Sequence, residues 1–160
     1  MRPIFKVLIF ITFLFYFSCE EAENEFLTNS SDIISIEYGT SFGNCVGYCI
    51  NSIEISGTDI MYSAVGWTTL DKVPDIHISG VIPQEDWNKL VSKIDLVIFR
   101  NMDEITGCPD CADGGAEWIQ VTTDKFVHKV TFEYNNEPEG FKNYIGDLRV
   151  FMQQYLEQVN

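Results

Sequence analysis

Apolar and polar residues alternate along this chain with two periods, and the period switches in an order that predicts the architecture. Ile33, Ile34, Ile36 and Tyr38 mark a first strand, which Gly39 is expected to end before a loop holding Gly43, Cys45, Gly47 and Cys49. Ile53 and Ile55 share one face of a second strand. Ser56-Gly57-Thr58-Asp59 then turns the chain into a third strand at about Ile60 to Val65, so the pair reads as a hairpin. A looser stretch from Trp67 to Asp75 leads to a fourth strand, Ile76 to Val81.

Helical spacing follows. Pro83 suits a first helical turn, and Glu85 and Asp86 suit its positive end. Trp87, Leu90, Val91 and Ile94 fall at i, i+3, i+4 and i+7 and form one apolar stripe. A second hairpin is expected from Trp118 to Thr123, a turn at Asp124, and Phe126 to Tyr134. There Phe126, His128, Val130, Phe132 and Tyr134 share one face, and Val127, Lys129, Thr131 and Glu133 the other. After Asn135-Asn136-Glu137-Pro138, the residues Phe141, Tyr144, Ile145, Leu148, Met152, Tyr155, Leu156 and Val159 repeat at three and four, which predicts a closing amphipathic helix. The expected fold class is α+β: an antiparallel β-sheet of two hairpins plus flanking strands, packed against two helices in two layers.

The first eighteen residues stand apart from this pattern. Arg2 and Lys6 precede the apolar run Val7 to Phe17, the anatomy of a secretory signal. The run is too short to span a bilayer as a helix, which needs about 20 apolar residues. Ser18 and Cys19 follow it and resemble a lipobox, the site of lipid attachment and cleavage, although Tyr16 and Phe17 are bulkier than its usual occupants. The chain therefore reads as the precursor of a bacterial lipoprotein, cut before Cys19 and held at the cell envelope by lipid on that cysteine. A free secretory signal or an uncleaved anchor is the competing reading. Outer-membrane attachment is expected, on the periplasmic or the surface face. Glu20 to Ser31, with Glu20, Glu21, Glu23 and Glu25, reads as an acidic tether over 19–31. The same acids resemble a surface-export signal or serve as a plain solvated spacer. The remainder, 32–160, is one domain.

Charge narrows the partners. Loss of Arg2 and Lys6 with the signal leaves eight basic residues against 24 acidic ones, a formal charge of −16. Nucleic-acid affinity rests on Lys and Arg displacing counterions, so nucleic acid is set aside. Solubility is the plainer reading of the charge, and attraction to a cation or a basic partner the sharper one.

The chemistry-bearing residues are the four cysteines left after Cys19: Cys45 and Cys49, and Cys108 and Cys111 in Cys108-Pro109-Asp110-Cys111. An even set in an exported chain points first to disulfides. Pairing across the two loops would close roughly 60 residues and contribute about 4 kcal/mol, which makes it the better structural expectation. The local Cys108–Cys111 link is the better redox expectation, since it looks like a thiol-oxidoreductase motif, but Gly114-Gly115 is a poor opening for the helix such a motif needs. Four thiolates could instead hold zinc. Asp110, Asp113 and Glu117 are weak candidates for a hard-cation site, with a solvated turn as the plainer alternative.

Catalysis has little to stand on. His77 and His128 are the only histidines, both within expected strands. No nucleophile elbow, phosphate-cradling glycine loop or His-Glu metal helix occurs, and nothing calls for a cofactor.

The run Cys45-Val46-Gly47-Tyr48-Cys49 followed by Ile53, Ile55, Gly57 and Tyr62 resembles the opening of a bacterial domain-of-unknown-function family, in which Cys-x-Gly-x-Cys precedes a hairpin and a helix follows a short Pro-containing loop. The likeness covers roughly residues 33 to 94, and less clearly the closing hairpin and helix. Ile50 stands where that family usually has Pro, and Ser52 where it usually has Tyr. The Cys108/Cys111 loop is an addition. The resemblance implies fold and export, not mechanism. Two expectations emerge: a non-catalytic binding lipoprotein with structural disulfides, meeting a protein, glycan or cation; or a thiol-redox or zinc-binding lipoprotein using Cys45, Cys49, Cys108 and Cys111.

Overall fold

A computed structural model describes residues 32–66 and 73–159, the side chains through residue 157. The signal, Cys19, the tether, Trp67 and the side chain of Val159 lie outside the described residues.

Among the described residues seven strands form one sheet: β1 (Ile33–Ser41), β2 (Tyr48–Ser56), β3 (Asp59–Gly66), β4 (Ile76–Val81), β5 (Ile105–Thr106), β6 (Ala116–Thr123) and β7 (Val127–Glu133). Their spatial order is β4-β3-β2-β1-β6-β7-β5. Every pairing is antiparallel except the two-residue β5, which runs parallel to β7. The helices are α1 (Gln84–Lys93), α2 (Leu96–Arg100) and α3 (Lys142–Val159).

The period-two pattern sends one face of the sheet to the helices. Ile36 and Tyr38 of β1, Ile53 and Ile55 of β2, Ile60 and Tyr62 of β3, Ile119 and Val121 of β6, and Val130 and Phe132 of β7 are all buried in one cluster. From the other layer come Leu90 of α1, Phe99 of α2, and Ile145, Leu148 and Met152 of α3. Among the described residues no helix covers the opposite face, which carries Glu54, Met61, His77 and Lys129, all exposed. The α+β, two-layer class is as expected, with a third helix added.

Gly39 does not end the first strand. It pairs with Ser52 on one side and Trp118 on the other, and β1 runs on to Ser41. Its missing side chain makes room for the Trp118 indole: a Cβ there would lie 2.2 Å from a ring carbon. Cys49, expected in a loop, lies inside β2.

The short helix α2 was hidden because five residues carry no periodic signal. Asp95 starts it, its side chain accepting hydrogen bonds at 3.0 Å from the amides of Val97 and Ile98. Pro83 caps α1 from just outside the helix, and Glu85 and Asp86 occupy its first turn as expected.

Candidate functional site

β1 sets the polarity of the molecule. The chain enters it at Ile33 and leaves it at Ser41, about 26 Å away at the usual rise of a strand. Both cysteine loops lie at the Ser41 end. One, residues 42–47, joins β1 to β2. The other, residues 107–115, leads into β6, whose first residue, Ala116, pairs with Ser41.

In the first loop the Phe42 amide donates to the Cys49 carbonyl at 3.0 Å and closes the hairpin. Cys45 and Cys49 form a disulfide with their Cα atoms 5.6 Å apart. Cys49 is 1% exposed, whereas Val46, between the two cysteines, stands 93% exposed at the loop tip. The Tyr48 hydroxyl donates to the Pro74 carbonyl at 3.1 Å, tying this loop to the segment before β4.

In the second loop Cys108 and Cys111 form a disulfide, Cα to Cα 5.5 Å, and both residues are exposed. The expected cross-loop bridge is therefore replaced by two local ones. Each closes a ring of four or five residues and contributes about 2 kcal/mol by the chain-entropy argument, roughly half of what the cross-loop bridge would have given. Such bridges shape their own loops more than they staple the sheet. The backbone of the second loop is unusual. Gly107, Asp110, Ala112, Asp113 and Gly115 all have φ between 53° and 85°, and three of them are not glycine. No helix follows Cys111; residues 111–113 make one tight turn and the chain passes directly into β6. The helix N-terminus that lowers a thiol's pKa in oxidoreductases is thus missing.

The two loops touch. The Gly43 amide donates to Asp110 Oδ1 at 3.3 Å, and the Phe42 and Tyr134 rings meet edge to face at 4.9 Å. Gly115 sits against Phe42 with no room for a Cβ, 2.5 Å from the ring, and its positive φ fits the same requirement. Glu133, at the end of β7, accepts from the Cys108 amide and from Asn136 Nδ2, each at 2.8 Å. One end of the sheet therefore carries a continuous rim of three loops.

The weak cation candidates are not brought together. Asp110 receives the Gly43 amide, Asp113 is exposed, and Glu117 points to the opposite, helix-facing side of β6, fully buried. Among the described residues no three His, Cys, Asp or Glu side chains converge as a metal site. The four cysteines are held as two disulfides, which leaves no thiolate for zinc.

Glu117 belongs instead to a buried polar cluster. Arg149 of α3 donates through Nη2 to Glu117 Oε1 at 2.8 Å and Oε2 at 2.6 Å, through Nε to the Tyr38 hydroxyl at 3.3 Å, and through Nη1 to Glu137. Burial pushes Glu117 above the ordinary carboxylate range against the downward pull of Arg149 and the Asn135 amide. Burial and the nearby Glu117 charge push Tyr38 up as well. Burial would lower Arg149, but Glu117, Glu137 and Tyr38 together hold it more firmly protonated. Charges so tightly paired fasten α3 to the sheet behind the rim; they do not leave a free acid or base. Two signals in the sequence could have found the cluster. Glu117 has the parity of Ile119 and Val121, and Arg149 stands at i+4 from Ile145 on the apolar stripe.

Both histidines lie on the sheet and are held by neighbours. His128 Nε2 is 3.1 Å from the Met102 carbonyl oxygen, and its ring meets Phe99 edge to face at 5.4 Å. His77 Nδ1 and Ser63 Oγ lie 2.9 Å apart across β3 and β4 on the exposed face. On the same face Trp118 donates to Glu37 at 2.9 Å and lies beneath the Lys129 ammonium, 4.3 Å from the ring centroid.

Among the described residues no helix is long and apolar enough to cross a membrane. No family model matches the chain, and no curated protein matches it.

Proposed function

We propose that this chain is the precursor of a lipid-anchored protein of the bacterial cell envelope, cut before Cys19, whose folded domain is a non-catalytic binding module. The carrying observation is the polarity of β1. The anchor side of the chain enters at Ile33, while both disulfide loops stand at the Ser41 end. Lipid on Cys19 and the acidic tether would hold the Ile33 end toward the membrane and turn the rim outward. Each disulfide shapes one loop, which lowers the ordering cost of binding. Val46 offers an apolar contact at the tip, and Asp110 and Asp113 add negative charge beside it. A partner with a basic face suits that rim best.

Two measurements test this reading. Mass spectrometry of the mature N-terminus should find acylated Cys19, and Cys19→Ser should release the protein from the membrane fraction; an unmodified N-terminus beyond Cys19 would overturn the anchor. A photo-crosslinking residue at Val46 should give a discrete adduct in intact cells, and one at Ile34, at the other end of β1, should not. Equal labelling at both positions, or none at Val46, would overturn the rim as the binding surface.

A further inference from the structure

The two disulfides sit on one rim but in different surroundings. Cys49 is 1% exposed within β2 while Cys45 is half-buried, so a thiolate can approach that bridge only at Cys45, and the attack would expel Cys49 as a buried thiolate. Cys108 and Cys111 are both exposed, on a loop outside the long strands. Thiol–disulfide exchange needs a thiolate to reach a sulfur along the bond axis, and access decides which bridge reacts.

The loop held by Cys108–Cys111 is also poised to change. Asp110, Ala112 and Asp113 all occupy the left-handed region, which L residues adopt at a cost. Asp110 lies between the two cysteines and accepts the Gly43 amide of the neighbouring loop. The Cys108 amide is itself donated to Glu133. Opening the bridge removes the cross-link that keeps these residues in that conformation. Asp110 then relaxes away from Gly43.

We propose that Cys108–Cys111 is a thiol-exchange site that acts as a redox latch, coupling the 107–115 loop to the Cys45–Cys49 loop through Asp110 and Gly43. The co-substrate is a dithiol. One donor thiolate attacks Cys108 or Cys111 and forms a mixed disulfide, and the other cysteine leaves as a thiolate. The second donor thiol then displaces the first and becomes oxidised. Two electrons and two protons pass from donor to protein, and the donor leaves as a disulfide. With only two residues between the cysteines, the freed thiolate stays close enough to attack the mixed disulfide and reverse the step. Nothing in this inference depends on what the rim binds.

The test uses the protein purified without reductant, titrated with dithiothreitol at neutral pH, alkylated, and mapped by mass spectrometry. Cys108 and Cys111 should become alkylated at a reductant concentration at least tenfold below that needed for Cys45 and Cys49. Reduction of both pairs together, or of Cys45–Cys49 first, would overturn the site. In the selectively reduced protein, amide exchange at Gly43 should accelerate severalfold and return to its oxidised rate after reoxidation. Asp110→Ala should give the faster rate even while the Cys108–Cys111 bridge is intact, and reduction should accelerate it no further. Selective reduction that leaves Gly43 exchange unchanged would overturn the latch.

Discussion

Glu117, fully buried on β6, shares both its carboxylate oxygens with one nitrogen of Arg149 on α3, at 2.8 and 2.6 Å. The contact ties the last helix to the centre of the sheet at a place where an apolar pair would ordinarily sit. Removing one partner of such a pair leaves a buried charge uncompensated, which costs far more than the pair contributes. Arg149→Met strands both Glu117 and Glu137 and should lower unfolding free energy by roughly 3 to 5 kcal/mol at pH 7. Glu117→Gln keeps an acceptor for Arg149, which retains Glu137, and should cost only about 1 to 2 kcal/mol. The double variant should lose less than the sum of the two, measured by urea denaturation.

The same cluster sets a pH signature. Burial raises Glu117, so the folded state holds that proton more tightly than the unfolded chain; its contribution is fullest below the unfolded value and is lost as pH rises through the raised one. Glu137 has the opposite sign. Burial pulls it up, but its own backbone amide and Arg149 pull it further down, so its contribution is present above the unfolded value and lost as pH falls through the lowered one. Arg149→Met removes the counterion of both groups. Its destabilisation should therefore be largest at neutral pH and shrink in acid, where Glu117 is protonated. Denaturation midpoints at about pH 4 and pH 7 measure the difference, and an equal loss at both would reject the assignment.

Gly39 and Trp118 make a second pair that can be tested directly. Gly39→Ala places a methyl inside the indole's volume, 2.2 Å from a ring carbon, on backbone hydrogen-bonded to both neighbours. Overpacking of that kind should cost about 1 to 3 kcal/mol and shift the Trp118 fluorescence as the ring leaves Lys129. In a Trp118→Ala background the same substitution should cost much less. Full additivity would mean that Gly39 is there for another reason.

Much of this fold is legible in the residues themselves. Ile76 to Val81 is a strand between the expected bounds, Phe132 and Val130 face the core by parity, and the stripe from Phe141 to Met152 is buried as helical spacing requires. Local periodicity carries those features. The β1–β6 pairing, which joins the two hairpins into one sheet, rests on contacts between residues far apart in the chain, and no local pattern encodes it. Gly39 reads as a strand end because its partner, Trp118, is 79 positions away. The cysteine pairing turns on which Cα atoms come within bridging distance, whereas loop entropy favours the longer closure. Of the site, the sequence exposes the two cysteine loops but not that Asp110 and Gly43 join them.

The two bridges should differ in what their removal costs. Cys45→Ser with Cys49→Ser deletes a cross-link and puts a hydroxyl where a buried sulfur had been, 1% exposed, so a loss of about 2 to 4 kcal/mol is expected. Cys108→Ser with Cys111→Ser deletes a cross-link of similar ring size but lets three left-handed residues relax in solvent, which offsets part of the loss. That variant should lose no more than about 1 kcal/mol. Thermal unfolding of the two double variants side by side gives the order, and a greater loss in the second would show that its loop is not strained.

Tyr144 offers a substitution expected to stabilise. Its side chain is 4% exposed against the core, and its hydroxyl finds no hydrogen-bond partner among the described residues. Burial, with a smaller push from the Asp147 charge, raises its pKa, so the group stays neutral throughout the accessible range. A buried hydroxyl without a partner has lost its hydration and gained nothing in return, while the ring still packs against Phe141, 6.4 Å between centroids. Tyr144→Phe keeps that packing and removes the oxygen. An increase of about 1 kcal/mol in unfolding free energy should follow, read as a higher urea midpoint with unchanged slope. A loss of stability would mean that the hydroxyl is satisfied in solution by a bound water, and the core beneath α3 would then be wetter than its side chains suggest.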